Sequence, residues 1–316
     1  MKLNNFKRQA IALVLLIFLS VVFTATSQAK EKRNFIQRFS IKLSSGLSYF
    51  KIGDINSHFM SGNERHADYA QYFNGLKKGE LREIDLGLNS EIELAFDITS
   101  RFGIYFGSGY IYTRKESSSG FEVSPPEFYD VDYTFSPRTI IRAIPLKFGL
   151  YYIIPFGSKA KFFINGGVGY HFVKTIYYWE QIEIWRREDG SLFADLRGIT
   201  EWNLSAKGSG YHGGIGFEYS IAKNLTLVLE VQGRSFLIPK LKGTEISLGF
   251  PNSESFYGSV FCFEKKSPIT EKYYIGLGFY KEKPDYLPSP KYRNIRGAEL
   301  DLSGYFLKIG IRIRLF

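Results

Sequence analysis

Residues 82–98, REIDLGLNSEIELAFDI, decide the fold class because apolar and polar side chains alternate along them. Every even position from 84 to 98 is apolar except Ser90, and the odd positions carry Glu, Asp, Asn, Gly or Ala. In a strand, successive side chains point to opposite faces, whereas a helix would scatter both sets around its circumference. The stretch therefore predicts a long β-strand with one apolar face and one acidic face.

The same alternation returns in seven further segments, which are residues 39–49, 102–112, 144–152, 164–172, 215–221, 225–231 and 305–315. About eight strands result, of the length that a tilted membrane strand requires, about 9–11 residues. Short turns near Ser100, Gly157 and Ala222 alternate with long segments at 53–81, 115–138, 175–204 and 237–298. Short periplasmic turns and long extracellular loops are typical of outer-membrane barrels.

The composition fits a β-rich membrane protein and argues against other classes. Aromatic residues make up 17% of the chain, and the mean hydropathy of −0.14 is compatible with a barrel, because only one face of each strand must be apolar. The net charge is +10, but no run of Lys or Arg and no nucleic-acid motif accompanies it. The single cysteine, Cys262, makes no internal disulfide and is interpreted as a small apolar residue. We expect no nucleic-acid partner, no cofactor and no metal.

The first 29 residues have the features of a secretion signal. Lys2, Lys7 and Arg8 precede an apolar run at 11–23, and small residues lead to Ala29. A basic start, a short apolar region and small residues before the cleavage point are typical of a signal peptide. The run is shorter than the roughly 20 residues of a membrane helix. We predict a cleaved signal peptide at 1–29 and a barrel domain at 30–316.

A soluble lipocalin-like barrel or sandwich is the alternative, with its apolar face turned inward. Two features favour a membrane barrel. The charged face is rich in glycine, which suits a crowded lumen, and aromatic residues lie near both ends of the apolar face, as interfacial girdles do. The predicted girdles are Phe96, Phe102, Tyr152 and Phe162 at one end and Tyr49, Tyr112, Tyr170, Phe172, Tyr211 and Tyr305 at the other. The prediction is an all-β, antiparallel, up-and-down transmembrane barrel.

Over residues 35–316 this pattern resembles the small outer-membrane β-barrel superfamily, the group of the outer-membrane-protein-A membrane domain. The resemblance implies a place in the cell outer membrane, contact with outer-membrane lipids, and recognition by the outer-membrane assembly machinery. Members end in an aromatic residue that this machinery reads, and Phe316 matches it. The apolar alternation, however, ends on Leu315, so Phe316 falls on the opposite face.

The segment 237–298 is long for a loop and contains strand-like pieces at 256–264 and 272–281. We expect them to form an extracellular hairpin; the alternative is that they cross the membrane and make ten strands. A second protruding hairpin is predicted across 187–190, where Asp-Gly suits a tight turn. Pro145 removes a hydrogen-bond donor from its strand and predicts a bulge.

The polar face gathers charges that point into the predicted lumen. These are Lys42, Asp85, Glu91, Glu93, Lys147, Glu218, Glu230, Arg234, Lys308, Arg312 and Arg314. They form either a structural ion-pair network or an ion pathway with a gate. Eight strands leave an interior just wide enough for side chains to fill, which favours the network. His171 and His212 also face the lumen, but no catalytic motif surrounds them.

Three functions remain open from the sequence. The first is a non-enzymatic barrel with a structural or surface-recognition role, a filled lumen and loops that bind an extracellular ligand; a narrow porin-like channel is its variant. The second is an enzyme that modifies outer-membrane lipids, an idea that rests on analogy within the fold class. The third is a soluble periplasmic protein with an apolar ligand inside.

Overall fold

The computed structural model describes residues 38–125, 129–249, 254–284 and 291–315. The predicted signal peptide and Phe316 lie outside these ranges. The elements, in chain order, are β1 (Phe39–Phe50), α1 (Asp54–Tyr72), β2 (Leu76–Glu80), β3 (Leu86–Asp97), β4 (Phe102–Glu116), β5 (Ser118–Val123), β6 (Asp130–Phe156), β7 (Ala160–Arg186), β8 (Leu192–Ala222), β9 (Leu225–Ser235), β10 (Leu237–Pro239), β11 (Lys242–Gly249), β12 (Glu254–Lys266), β13 (Tyr273–Tyr280), β14 (Tyr292–Gly297), β15 (Glu299–Asp301) and β16 (Gly304–Arg314). In the described part of the chain, no helix is long and apolar enough to span a membrane.

Eight of these strands close into a ring. The antiparallel order β1-β3-β4-β6-β7-β8-β9-β16 returns to β1, where Ser40 pairs with Arg314 and Phe50 with Gly304. The eight-stranded up-and-down barrel is confirmed. The ten-stranded alternative is wrong, because β12 and β13 pair with each other and extend from β11, outside the ring. The expected hairpin is therefore found.

The apolar face of the ring points outward. Leu88 is 56% exposed and Ile309 59%, whereas the inward-facing Lys308 is 1% exposed. Aromatic residues meet at both rims, where Tyr49 pairs with Tyr305 and Phe102 with Tyr152. A soluble barrel would bury side chains such as Leu88 and Ile309, so that alternative is wrong. The two rims are the outer girdle, near Tyr49 and Tyr305, and the inner girdle, near Phe102 and Tyr152.

The bulge predicted at Pro145 is wrong. The register with β7 runs unbroken through Ile144–Phe172, Pro145–His171 and Leu146–Tyr170. On the other side, the β4 ladder passes from Ser108–Leu146 to Ile111–Ala143 without a shift. The missing N–H of Pro145 is accommodated by a gap in that ladder, so no residue is inserted.

The strands β6, β7 and β8 continue well beyond the outer girdle. They contain 27, 27 and 31 residues, so much of the predicted loops at 115–138 and 175–204 is strand. The hairpin at 187–190 is confirmed, with Gly190 at φ 78 donating its N–H to the Arg187 carbonyl over 2.8 Å. With β2, β5, β11, β12 and β13 these extensions form one extracellular sheet in the order β2-β5-β6-β7-β8-β11-β12-β13.

Helix α1 packs against this sheet, in a stretch predicted to be a loop. Ile55, Phe59, Gly62, His66 and Ala70 are buried, at the spacing of one helix face. The helix contacts β2 and β5 at one end of the sheet and β13 at the other. We call α1 and this sheet the extracellular unit.

Polar contacts fix α1 along its length. At its start, both carboxylate oxygens of Asp54 bind the Arg296 guanidinium, over 2.6 and 2.7 Å. In its middle, the Ile275 N–H donates to Ser61 Oγ over 2.7 Å. Near its end, His66 Nδ1 lies 3.0 Å from Ser119 Oγ. The helix therefore ties the two ends of the extracellular sheet together.

The buried His66 makes this tie sensitive to acid. Burial, with the charges of Arg65 and Lys77, lowers the pKa of His66 to about 3, against about 6.5 in an unfolded chain. As pH falls below about 6.5 the unfolded state gains a proton that the folded state does not bind, so stability falls until about pH 3. We expect the urea midpoint of the extracellular unit, followed by tryptophan fluorescence, to fall between pH 7 and pH 4. The fall should be smaller in His66→Gln, and an equal fall in that variant would contradict the role of His66.

Candidate functional site

The lumen between the girdles is filled by a cluster of three lysines and three glutamates. Lys42 lies 2.6 Å from Glu93 and 2.8 Å from Glu230. Lys308 lies 2.8 Å from Glu91. Lys147 also contacts Glu91. The charges balance, and each of these side chains is 5% exposed or less. A buried side chain stays charged only when it is paired with an opposite charge, and each charge in this cluster has such a partner.

Two further predicted residues form a separate pair, and one arginine, Arg234, has no carboxylate partner in the part of the chain that the structure describes. Arg312 lies 2.9 Å from Glu218. Arg234 lies below the extracellular unit, with its guanidinium 3.9 Å from the centre of the Phe306 ring and donating to the Leu302 carbonyl over 2.5 Å. Arg234 therefore caps the charged lumen with aromatic and backbone contacts.

The structure does not bring Asp85 and Arg314 into the cluster, so the prediction was wrong for both. Asp85 precedes β3, is 41% exposed in its side chain and lies 3.7 Å from Lys115 beyond the outer girdle. Arg314 ends β16, and its N–H donates to the Asn224 carbonyl at the periplasmic turn. Both residues occupy positions whose side chains point inward along their strands, but they lie beyond the two ends of the filled lumen.

Neutral polar side chains complete the cluster, and of these only His212 was predicted to face the lumen. Asn165 donates to Glu230 over 2.7 Å, and Lys147 donates to Gln232 over 3.1 Å. The Tyr105 hydroxyl lies 2.6 Å from His212 Nε2. All of them occupy positions whose side chains point into the lumen. The alternation along their strands was therefore the sequence signal that could have identified them. His171 is fully buried, with its ring centre 3.8 Å from that of Phe236.

Above the charged cluster, an apolar core fills the barrel where it meets the extracellular unit. Its members include Phe50, Ile52, Phe59, Ile141 and Phe236, all 2% exposed or less. The buried Cys262 belongs to the same core, and burial raises the pKa of its thiol to about 12. The prediction of Cys262 as a small apolar residue is confirmed. This core separates the charged lumen from the features above it.

A cavity of about 390 Å³ lies beyond the apolar core, between α1 and the extracellular sheet. Its lining is His58, Arg65, Tyr69, Phe121, Tyr133, Phe135, Tyr177, Trp179, Gln181, Glu183, Trp202 and Leu277. Seven of the twelve are aromatic, and the volume is within the range of small-molecule sites. We call it the aromatic cavity. The aromatic cavity could not be predicted from the sequence, because its walls come from six elements that are distant along the chain.

Polar groups in the aromatic cavity are available for a ligand. The Tyr177 hydroxyl is buried and has no hydrogen-bond partner among the described residues. Arg65 makes no ion pair within the described ranges, whereas Glu183 accepts from Gln181 over 2.7 Å. His58 contributes a ring whose pKa burial lowers to about 4, so it is neutral at pH 7. The cavity lining therefore contains one cation, Arg65, one carboxylate, Glu183, and the buried Tyr177 hydroxyl, all within aromatic walls.

Fold and site together define an outer-membrane barrel with a filled lumen and an extracellular unit. The family model described as outer membrane protein beta-barrel domain matches residues 14–251. The chain belongs to this family, and its location is the outer membrane. Comparison with curated proteins gives no match.

Solved structures of outer-membrane proteins align along most of the chain at low similarity. OprG from Pseudomonas aeruginosa is 10% identical over 88% of this chain and 98% of its own, with a TM-score of 0.35. Neisserial surface protein A is 10% identical over 87% and 96%, with a TM-score of 0.27. The outer membrane protease OmpT from Escherichia coli is 7% identical over 90% and 99%, with a TM-score of 0.27. These scores are too low to bear on function.

Breaking the lumen cluster should destabilise the barrel. In Lys308→Met, the carboxylates of Glu91 and Glu230 lose a buried cation, and removing one partner of a buried pair typically costs about 3–5 kcal/mol. We expect a lower urea midpoint for the folded, heat-modifiable band in gels. Arg314→Met removes a cation from the same strand outside the cluster and should change the midpoint little. Equal effects of the two variants would contradict the role of the cluster.

Proposed function

We propose that this protein is a non-enzymatic outer-membrane recognition protein, which binds a small ligand in the aromatic cavity and uses the filled barrel as a rigid anchor. The observation that carries the proposal is the aromatic cavity itself, with Arg65 and the unpartnered Tyr177 hydroxyl in its walls. An unsatisfied buried hydroxyl costs free energy, and a ligand that accepts its hydrogen bond would recover this cost.

The lining suggests the chemistry of the ligand. Aromatic walls favour a planar ring, which they stack face to face or edge to face. A guanidinium without a carboxylate partner favours an anionic or acceptor group. We therefore propose a small molecule with a ring and an acceptor group that reaches Arg65 and Tyr177.

Geometry also supports a non-enzymatic role. His171 and His212, the best catalytic candidates from the sequence, are 0% and 6% exposed inside the barrel wall, where no lipid headgroup reaches them. Within the described ranges, no three of the His, Cys, Asp and Glu side chains are grouped to hold a metal. A lipid-modifying reaction would need such groups on the lipid side, where the strands present apolar residues.

The filled lumen argues against the alternative function, a narrow channel. Lys42, Lys308 and Glu230 meet across the barrel at 1–2% side-chain exposure. We expect no steady single-channel conductance from the full chain in planar bilayers. Lys308→Met removes one cation from the cluster and adds no side-chain charge. This variant should show channel openings more often than the unmodified protein. A steady conductance of the unmodified protein would favour the narrow channel instead.

Binding in the aromatic cavity is measurable, because Trp179 and Trp202 line it and the chain has three tryptophans in all. We expect benzoate to change the tryptophan emission of the full chain in neutral detergent, and benzamide to bind more weakly. Arg65→Gln should weaken benzoate binding about tenfold, since a hydrogen bond to a charged group contributes about 1.5–3 kcal/mol.

The matched control is Arg187→Gln, an exposed arginine whose guanidinium lies over Phe193 at the tip of the β7–β8 hairpin. It should bind benzoate as the unmodified protein does. If none of benzoate, benzamide and benzylamine changes the emission, or if Arg65→Gln binds benzoate unchanged, the aromatic cavity is not the proposed site.

A further inference from the structure

A second depression, of about 600 Å³, lies on the outside of the barrel at the outer girdle. Five cations line it, namely Arg142, Lys174, Lys207, Lys240 and Lys242. We call this set the basic patch. Tyr110, Ile144, Phe172 and Tyr257 line the same depression, and all four are exposed. No carboxylate is part of its lining.

The strand register sets the height of the basic patch relative to the membrane. Phe172, at the top of the lipid-facing side of β7, pairs with Ile144 on β6 and with Lys207 on β8. Lys174 follows Phe172 on the same face, about 7 Å further out at the usual strand rise, and pairs with Arg142. The basic patch therefore begins where the apolar surface of the barrel ends.

In the described ranges, carboxylates do not neutralise the cations of the basic patch. Among the described residues, none of the five has a carboxylate within 4.0 Å. By contrast, Arg114 on the neighbouring strand β4 lies 2.6 Å from Glu116. Lys207 Nζ lies 5.4 Å from the centre of the Phe172 ring, so it reaches toward the lipid side. Grouped like charges repel one another, and an anion between them would relieve the repulsion.

The backbone of Lys240, a member of the basic patch, has an unusual conformation. Its φ is 63°, in the left-handed region that glycine and asparagine adopt at lower cost. The turn between β10 and β11 thus carries a lysine where a smaller residue would be less strained, and this lysine contributes a cation to the basic patch.

We propose that the basic patch binds the phosphorylated headgroup of an anionic lipid in the outer leaflet. The phosphate oxygens would accept hydrogen bonds from the lysine and arginine side chains, which are the usual partners of phosphate. The acyl chains would lie along Phe172, Ile144 and Tyr110, in continuity with the apolar surface of the barrel. A free anion would use only the cations, whereas a lipid would contact the cations and this apolar surface with one molecule.

The test uses the full chain in neutral-detergent micelles, with native mass spectrometry as the readout and lipid A, a glycolipid with two phosphates, as the probe. We expect retention of lipid A that falls about thirtyfold in Lys174→Gln/Lys207→Gln, since each of the two basic residues contributes about 1 kcal/mol at a lipid surface. The matched control, Lys159→Gln/Lys223→Gln, removes two exposed lysines from turns at the opposite rim and should retain lipid A unchanged.

Three results would overturn the proposal. Equal losses in the two double variants would mean unspecific attraction between lipid and protein. Equal retention of lipid A and its phosphate-free form would remove the role of the cations. Displacement of lipid A by inorganic pyrophosphate at an equal concentration would identify a site for free anions instead of a lipid site. Unchanged heat-modifiable migration of both variants ensures that the comparison concerns folded barrels.

Discussion

Every backbone N–H and C=O within the hydrocarbon layer must find a partner in the protein, and the rest of this structure follows from that constraint. The pairing of β1 with β16 closes the ring and leaves no open edge. Closure gives the strands an outer face in lipid and an inner face in a narrow lumen. Because the lumen is narrow, its side chains fill it, and charges placed there must pair with one another, as Lys308 does with Glu91.

The preferred side-chain polarity reverses where the strands leave the membrane. On β6, the outward residues change from Ile144 within the lipid to Arg142 beyond it, while the inward residues change from Lys147 to Ile141. Water outside and an apolar core inside are the conditions of a soluble protein, and α1 supplies the other side of that core. One strand thus belongs to a membrane barrel in its lower half and to a water-exposed unit in its upper half.

The two candidate sites lie on either side of this boundary. The aromatic cavity is enclosed by α1 and the inner faces of β6, β7 and β8, above the apolar core. The basic patch lies on the outer faces of the same strands, next to the lipid. Both depend on strands that extend past the outer girdle, because a strand that ended at Ile144 or Phe172 would provide neither wall.

The sequence alone determined the ring, the orientation of its faces and most of the lumen charges, because a period of two residues states which side chains share a face. It did not reveal α1, whose buried positions Ile55, Phe59 and His66 are few and separated by polar residues. Nor could the sequence exclude Asp85 from the lumen. The alternation shows on which face of the sheet a side chain lies, but it does not show how deep in the barrel that side chain lies. The tertiary structure decided the partner of each charge and joined six distant elements around Arg65 and Tyr177, since such contacts depend on register and packing between segments that are remote in the chain.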